Sequence, residues 1–315
     1  MSLQLGIIMD PIESIKVYKD SSFAMLLAAQ KKGWHIHYMQ PQDLYLNNSR
    51  VYGHRQLLRV FDNKQHWFEL NQAEDIELGK LDIILMRKDP PFDMEYIYTT
   101  YLLDLAEQQG ALVVNKPASL RDANEKLFIT QFPQCCTDML VSRNASRLRA
   151  FVHQHKDVIL KPLNGMGGAS IFRVTPGDPN LSVILETMAQ FGSTTVMAQK
   201  FIPEIVHGDK RILMINGDAV PYSLARMPAP GETRGNLAAG GTGIGMPLTD
   251  REKWICQQVG PKLKQMGLIF VGLDVIGDYL TEINVTSPTC IRELDQQFNL
   301  DIAMQLMNCL ERIKK

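Results

Sequence analysis

The sequence predicts an α/β domain at the N-terminus and α+β structure over the rest of the chain, which has 315 residues. In the first third, apolar runs of strand length alternate with helix-like segments, a pattern typical of a parallel sheet with helical crossovers. From about residue 124, strands follow one another as hairpins, which indicates antiparallel sheets. The length itself favours two domains, at roughly 150 residues per domain.

The N-terminal third begins with an apolar strand at 5–9 that stops at Asp10. Further strands are predicted at 34–39, 81–86 and 111–115, and helices at 22–32 and 95–109. Polar clusters follow two of these strands, at Asp10 and at 87–91. Because ligands bind at the carboxyl ends of parallel strands, we expect both clusters in a cleft, although both also fit plain turns.

The second part of the chain combines helices with hairpins. Strands are predicted at 158–162, 170–174, 194–199, 211–216 and 220–226, with helices at 124–131 and 181–191. A long glycine-rich loop then precedes a helix at 250–265, a hairpin at 269–285 and an amphipathic helix at 301–313. Since antiparallel pairing predominates, this part is predicted to be α+β.

Composition and charge exclude several classes of protein. Apolar residues make up 45% and charged residues 21%, as in an ordinary folded protein. The net charge of −1 lacks a basic excess, so we expect no nucleic-acid partner. The longest uncharged stretch, 235–249, is rich in glycine, which favours a loop over a membrane span. There is no signal-peptide pattern and no CxxC spacing, so we expect reduced thiols and a cytoplasmic protein.

The segment from Lys161 to Gly168 is a candidate phosphate-binding loop. Gly165, Gly167 and Gly168 lie between two predicted strands, where their N–H groups could close on phosphate oxygens beside the charge of Lys161. No Lys-Ser/Thr pair follows the glycines and the next strand leaves no room for a helix. These features exclude a P-loop and a dinucleotide-binding turn. A simple hairpin turn is the other interpretation.

The hydrophobic pattern predicts the register of the hairpin at 269–285. Pairing Leu273 with Ile283 places the apolar residues on one face and joins the strands through a three-residue loop, 277–279. A two-residue loop would pair Leu273 with Glu282 and mix charge into the apolar face, so we reject it.

This register creates a candidate metal site. Asp274 faces Glu282 directly, and Asn284 lies two residues further along the same face. Carboxylate and amide oxygens suit Mg²⁺, so these three residues are predicted to bind it. A solvated polar face is the alternative.

Three arginines are predicted to be catalytic residues. Arg211 opens one predicted strand, Arg226 ends the neighbouring strand, and Arg234 lies in the glycine-rich loop that follows. This loop has little apolar content, so it is expected to be mobile and to act as a lid. Arginines that converge on one place favour anionic substrates or a transition state with spread negative charge.

These motifs together resemble the ATP-grasp superfamily, through 161–168, 199–204, 208–211 and the set of Asp274, Glu282 and Asn284. More narrowly, the chain is similar to the bacterial glutathione synthetase family. That similarity lies in the motifs at 9–11, 19–25, 86–93, 231–241 and 284–289. It spans nearly the whole chain, apart from 47–79, where we find no familiar motif.

The resemblance implies three parts with ATP held between the antiparallel sheets of the last two. They are a pre-ATP-grasp αβ domain at 1–123, a lid domain at 124–203 and a C-terminal catalytic domain at 204–315. The implied ATP-binding residues are Lys126, Lys161, Gly165, Met166, Gly167, Gly168, Gln199, Lys200, Phe201, Ile202 and Asp209. The implied substrate-binding residues are Asp20, Ser21, Arg87, Asn284, Ser287 and Thr289.

The implied reaction joins γ-glutamylcysteine to glycine with ATP as co-substrate, and releases glutathione, ADP and phosphate. The cysteinyl carboxylate would first take the γ-phosphoryl group, and glycine would then attack the acyl phosphate. Mg²⁺, or Mn²⁺, and arginines would neutralise the anions that meet, and a lid would exclude water. The family also implies small-molecule substrates, no membrane partner and a homo-oligomer, a tetramer.

Two other functions stay open at the level of sequence. The chain could be another ATP-grasp carboxylate–amine ligase, and a panel of substrates would distinguish it from a glutathione synthetase. It could also be a non-catalytic ATP-binding regulatory protein. The complete set of Asp274, Glu282 and Asn284, together with Arg211, favours an enzyme.

Overall fold

The computed structural model describes residues 2–229, 235 and 242–315. The predicted catalytic Arg234, and most of the loop expected to act as a lid, lie outside the described residues. Within the described ranges, the chain forms three β-sheets with helices packed against each of them.

The first sheet has eight strands and contains the predicted parallel arrangement. Its strands are β1 (Gln4–Met9), β2 (His35–Met39), β3 (Leu44–Asn47), β4 (Arg50–Val60), β5 (Phe68–Leu70), β6 (Glu74–Glu77), β7 (Ile83–Arg87) and β8 (Leu112–Val114). β1, β2, β7 and β8 are parallel, and helices α1 (Ser21–Lys31), α2 (Met94–Gln108) and α3 (Pro117–Asp122) accompany them. The two predicted polar clusters lie side by side, since the Asp89 N–H donates to Asp10 Oδ2 at 2.9 Å.

An antiparallel extension, β3 to β6, fills the stretch in which the sequence shows no familiar motif. Its main element is β4, an 11-residue strand that pairs with β2, β3, β5 and β6. Buried and exposed positions alternate along β4 only in part. The two-residue period that identifies a strand in a sequence is therefore weak here.

The second sheet has four strands: β9 (Met139–Ser142), β10 (Val158–Pro162), β11 (Phe172–Val174) and β12 (Val196–Lys200). All its pairs are antiparallel, as predicted for this part of the chain. Helices α4 (Ala145–His155) and α5 (Leu181–Ala189) accompany this sheet, and α4 packs on β9 and β12. The glycine-rich loop connects β10 to β11, so it is also a hairpin connection.

The third sheet has five antiparallel strands in the order β15-β14-β13-β16-β17. They are β13 (Asp209–Ile215), β14 (Asp218–Met227), β15 (Thr242–Pro247), β16 (Phe270–Ile276) and β17 (Tyr279–Asn284). Three helices follow or interrupt them: α6 (Asp250–Gln265), α7 (Ile291–Phe298) and α8 (Ile302–Lys314). α6 begins where predicted because Thr249 and Glu252 form a reciprocal capping box.

Two predicted elements differ from the structure. The helix predicted at 124–131 is a turn followed by a short 3-10 helix, Phe128–Gln131. The Asn124 side chain accepts hydrogen bonds from the N–H groups of residues 126 and 127 at 3.2 and 3.0 Å, which favours a turn over a helix. Part of the predicted glycine-rich loop is β15, because backbone pairing with β14 stabilises an edge strand despite its glycines.

The hairpin of β16 and β17 has the predicted register at its centre but a different loop. The pairing of Asp274 with Glu282 is confirmed. The predicted three-residue loop is wrong, because Ile276 pairs with Tyr279 and leaves a two-residue turn. A bulge at Thr281 absorbs the additional residue, so a two-residue turn coexists with the pair of carboxylates.

Buried apolar residues form three clusters within the described chain. Two of them join the first sheet to the third: Leu5 and Leu213 belong to one, and Ile84 and Leu273 to the other. The remaining cluster contains only residues of the second sheet and its helices, from Leu148 to Ala198. The second sheet therefore packs as a unit of its own. No helix among the described residues has the length and apolar character needed to cross a membrane.

Candidate active site

All three sheets contribute residues to one cavity of about 500 Å³. Gly235 also lines it, next to the predicted catalytic Arg234, which lies outside the described residues. Every other predicted site residue lines the cavity: Asp20, Ser21, Arg87, Lys126, Lys161, Gly165, Met166, Gly167, Gly168, Gln199, Lys200, Phe201, Ile202, Asp209, Arg211, Arg226, Asp274, Glu282, Asn284, Ser287 and Thr289.

Two arginines and two aspartates form a buried cluster on the third sheet. Arg211 on β13 faces Asp274 on β16, and Arg226 on β14 faces Asp209 on β13. Arg211 donates to both Asp274 oxygens, at 2.5 and 3.0 Å, and Arg226 reaches the same carboxylate at 2.9 Å. Arg226 also donates to Asp209 Oδ2 at 2.5 Å. Charge-assisted hydrogen bonds thus fix the positions of both guanidinium groups.

Glycines make room for these arginines. A Cβ atom at Gly272 would lie 2.8 Å from Arg211 Cδ, and one at Gly235 would lie 2.5 Å from the Arg226 carbonyl oxygen. Neither position has space for a side chain. The two glycines therefore allow the close packing that holds the cluster together.

Burial and the arginines act differently on the two aspartates. Burial raises the pKa of Asp274, but attraction to Arg211 and Arg226 outweighs it and holds this pKa well below its usual range. For Asp209, burial outweighs the attraction of Arg226 and raises the pKa to about 6. Asp274 is therefore charged at neutral pH, whereas Asp209 gains a proton in mildly acidic solution.

Two buried lysines lie where the glycine-rich loop meets β17. Lys126 Nζ donates to Glu282 Oε1 at 3.1 Å and to the Gly165 carbonyl at 2.6 Å. Lys161 Nζ donates to the Thr281 carbonyl at 3.1 Å, at the bulge of β17. Burial lowers the pKa of Lys161 although Glu282 attracts its charge. Two ammonium groups beside a glycine-rich loop suit phosphate oxygens.

Glu282 and Asn284 can serve as ligands for a hard cation. Both line the cavity, and Asn284 Nδ2 donates to the Gly272 carbonyl at 3.3 Å, which leaves the amide oxygen available. No three His, Cys, Asp or Glu side chains of the described residues group into a metal site by themselves. The donor set fits Mg²⁺ when phosphate and water oxygens complete it. Both Asp274 oxygens contact Arg211 or Arg226, so metal binding by this carboxylate would require it to exchange one of these contacts.

The N-terminal sheet closes the opposite end of the cavity. Arg87 donates through Nε to Ser22 Oγ and through Nη2 to the Pro288 carbonyl, both at 2.9 Å. The Ile291 N–H at the start of α7 donates to Ser21 Oγ at 3.2 Å. Predicted substrate-binding residues from opposite ends of the chain therefore meet here.

Three residues of the cavity carry buried polar atoms without a partner among the described residues. These atoms are Gln199 Nε2, Asp209 Oδ1 and Glu293 Oε2. Folded proteins pair nearly all buried polar groups. Polar groups of a ligand bound in the cavity would supply partners for these three atoms.

Glu125 and Glu293 are cavity residues that the sequence motifs did not identify. Glu125 Oε1 accepts from the N–H groups of Val285 and Thr286 at 2.8 and 3.0 Å, and from Thr286 Oγ1 at 2.9 Å. Its carbonyl accepts from the Ile283 N–H at 2.9 Å. The only signal for Glu125 was its position next to a predicted ATP-binding lysine, and Glu293 had no signal at all.

The fold and the cavity define an ATP-grasp enzyme. The chain superposes on a D-cycloserine synthetase with a TM-score of 0.70 at 11% identity, over 99% of this chain and 100% of that one. It superposes on D-alanyl-alanine synthetase A from Vibrio cholerae with a TM-score of 0.60 at 11% identity, over 99% and 98% of the two chains. The chain belongs to the prokaryotic glutathione synthetase family. That family's N-terminal domain matches residues 3–121, and its ATP-grasp domain matches residues 125–299.

Relatives with the same family name resemble the chain over nearly its full length. The glutathione synthetase of Pseudomonas putida is 61% identical over 312 residues, covering 99% of this chain and 98% of the relative. That of Escherichia coli O157:H7 is 57% identical over 309 residues, covering 98% of each. The predicted fold and family are thereby confirmed, and the chain is a carbon–nitrogen ligase.

Proposed function

We propose that the cavity binds ATP, γ-glutamylcysteine and glycine and joins the last two into glutathione. One observation carries this proposal: Lys126, Lys161, Arg211 and Arg226 are buried and line one cavity. ATP and the cysteinyl carboxylate are both anions, so bringing them together requires concentrated positive charge. ADP and phosphate are the other products.

ATP is held between the second and third sheets in this proposal. Lys126 and Lys161 contact its phosphates, and the backbone of 165–168 closes over them. Gly167 and Gly168 support this role, because their φ angles of 64° and 79° form a left-handed turn of the kind that surrounds anions. The backbone of 199–202 reads the adenine edge, and Asp209 lies near the nucleotide.

The reaction has two steps. An oxygen of the cysteinyl carboxylate attacks the γ-phosphorus, which forms an acyl phosphate and releases ADP. The amine of glycine then attacks the carbonyl carbon and loses a proton as phosphate leaves. Arg211 and Arg226 stabilise the negative charge as it moves, since Asp274 holds both guanidinium groups in place before the reaction begins.

The metal is proposed to be Mg²⁺, with Mn²⁺ as the alternative. Glu282, Asn284 and Asp274 would hold it together with phosphate oxygens. When bound, the ion adds positive charge to the phosphates that the lysines already contact. The oxygen-only donor set supports this choice over softer metals.

The chain is also proposed to form a homo-oligomer, a tetramer. Met94, Tyr98 and Tyr101 lie on one face of α2 and are 54%, 51% and 51% exposed. Three large apolar side chains at helical spacing on an exposed face favour a contact with a second copy. Light scattering tests this proposal: Tyr98→Glu should lower the mass, and a monomeric unmodified chain would contradict it.

Two further assignments are proposals. The domain division at 1–123, 124–203 and 204–315 is supported by the separate core of the second sheet. The cytoplasmic location is supported by five cysteines that all carry free thiols.

Phosphate release from ATP tests the proposed function. With γ-glutamylcysteine and glycine, phosphate and glutathione should appear in equal amounts. If D-alanine or glutamate substrates support faster release, the chain is a different carboxylate–amine ligase. If neither these substrates nor the alternatives support release, the proposed substrates are wrong.

A further inference from the structure

Glu293 is a cavity residue for which the proposed reaction has no role. It lies in the first turn of α7, at the end of the cavity that the N-terminal sheet closes. Its Oε2 atom is buried and has no hydrogen-bond donor among the described residues. A buried carboxylate oxygen is unfavourable without a donor, so a ligand group is expected to supply one.

Burial raises the pKa of the Glu293 carboxyl, and attraction to three cations, Lys19, Arg211 and Arg292, opposes that rise. Two of them are already paired, since Arg292 donates to both Asp62 oxygens at 2.8 and 3.0 Å and Arg211 binds a different aspartate. Lys19 Nζ has no ion-pair or hydrogen-bond partner within the described part of the chain. The distance from Lys19 Nζ to the Glu293 carboxylate oxygens is greater than 4.0 Å, the upper limit for an ion pair.

We propose that Glu293 and Lys19 bind the α-amino-acid head group of a substrate. Glu293 receives the α-ammonium group and Lys19 receives the α-carboxylate. Lys19 and Glu293 line the same cavity, so a zwitterion bound there would have a cation for its carboxylate and a carboxylate for its ammonium group. The inference rests on the proposed function, in which two substrates carry this head group: glycine, and the γ-glutamyl end of γ-glutamylcysteine.

The position of Glu293 favours a substrate over the nucleotide. α7 begins at the contact between Ile291 and Ser21, among the predicted substrate-binding residues. The unpaired amide of Gln199 lies on β12 of the second sheet, where ATP is proposed to bind. A carboxylate would repel phosphate groups, whereas an ammonium group pairs with it.

Steady-state kinetics of Glu293→Gln and Lys19→Met tests the inference. Losing one charge-assisted hydrogen bond should raise KM for the bound amino acid about 10- to 100-fold, while KM for ATP stays within about twofold. Both variants should affect the same substrate. Glu186→Gln on α5 is the matched control, because Glu186 is exposed and lies outside the cavity.

The two sources of the head group give different results. If the γ-glutamyl end binds here, KM for γ-glutamylcysteine rises and KM for glycine does not. Glutarylcysteine, which lacks only the α-ammonium group, should then be a poor substrate that Glu293→Gln does not worsen. If glycine binds here, its KM alone rises.

Unchanged KM values for both amino-acid substrates, or a rise in KM for ATP alone, would overturn the inference and leave the proposed function standing. An unmodified chain that forms no glutathione would overturn both. Lys19 is only half-buried, so Lys19→Met is expected to fold. This variant therefore tests the inference even if Glu293→Gln does not fold.

Discussion

Arg211 and Asp274 face each other across two neighbouring strands and share two hydrogen bonds, of 2.5 and 3.0 Å. Both side chains are buried, and Arg226 contacts the same carboxylate. Removing this carboxylate would leave buried guanidinium charge without its partner. We therefore predict that Asp274→Ala lowers the free energy of unfolding by about 3–5 kcal/mol, measured by urea denaturation.

Asp250→Ala is the control for this prediction. Asp250 pairs with Lys253 at 3.2 Å on the surface, where solvent screens the attraction. This variant should unfold at nearly the same urea concentration as the unmodified chain. Equal unfolding midpoints for the two variants would contradict a stabilising role for the buried pair.

The pairing of Asp274 with Glu282 could be predicted because strand alternation is encoded locally: an apolar face determines the register, and the register brings the carboxylates together. The bulge at Thr281 could not be predicted in this way. Its contacts come partly from outside the hairpin, including the hydrogen bond from Lys161 to the Thr281 carbonyl. The place of Glu125 in the cavity could not be predicted for the same reason. Its partners lie about 160 positions away in the chain, and no spacing rule connects such distant residues.

Asp209 should make stability depend on pH in mildly acidic solution. Burial raises its pKa from 3.8 to about 6, so the folded chain binds this proton more tightly than the unfolded chain does. The contribution of Asp209 to stability is therefore complete below about pH 4 and is lost as the pH rises through about 6. Asp209→Asn lacks this dependence. The free energy of unfolding of the variant, minus that of the unmodified chain, should increase from pH 4 to pH 7. A difference that stays constant or decreases would contradict the raised pKa.

Glu125 is predicted to hold the end of β17 in place. Glu125→Ala removes three hydrogen bonds from residues 285 and 286 and should lower the free energy of unfolding by about 2–4 kcal/mol. The N–H groups of Val285 and Thr286 should then exchange with deuterium faster. Glu125→Gln keeps an acceptor oxygen and should restore most of the protection. Unchanged exchange at these two positions in Glu125→Ala would show that other contacts hold the strand end.

Glu282 is predicted to be essential for turnover. It lines the cavity and accepts from Lys126 at 3.1 Å. Glu282→Gln should lower kcat about 10²- to 10³-fold with little change in the urea midpoint, because it removes charge beside the phosphates. Increasing the Mg²⁺ concentration should not restore the rate, and Glu186→Gln should behave like the unmodified chain. Near-normal turnover of Glu282→Gln at saturating Mg²⁺ would exclude Glu282 as a metal ligand.

The arrangement of the arginines predicts the chemical intermediate. A single bidentate arginine would suffice for a static carboxylate, but Arg211 and Arg226 flank one carboxylate from neighbouring strands and line the same cavity. Two fixed guanidinium groups suit a charge that moves from the γ-phosphate to an acyl phosphate and then to a tetrahedral oxyanion.

With ¹⁸O in the cysteinyl carboxylate of γ-glutamylcysteine, the acyl-phosphate route should place one labelled oxygen in the released phosphate. The reason is that the attacking carboxylate oxygen stays bonded to phosphorus when glycine displaces it from carbon. Mass spectrometry of the phosphate measures this transfer, and a reaction without glycine is the control for simple hydrolysis of ATP. An adenylate route would instead release pyrophosphate and carry the label into AMP. Labelled AMP among the products would show that the two arginines face a different intermediate.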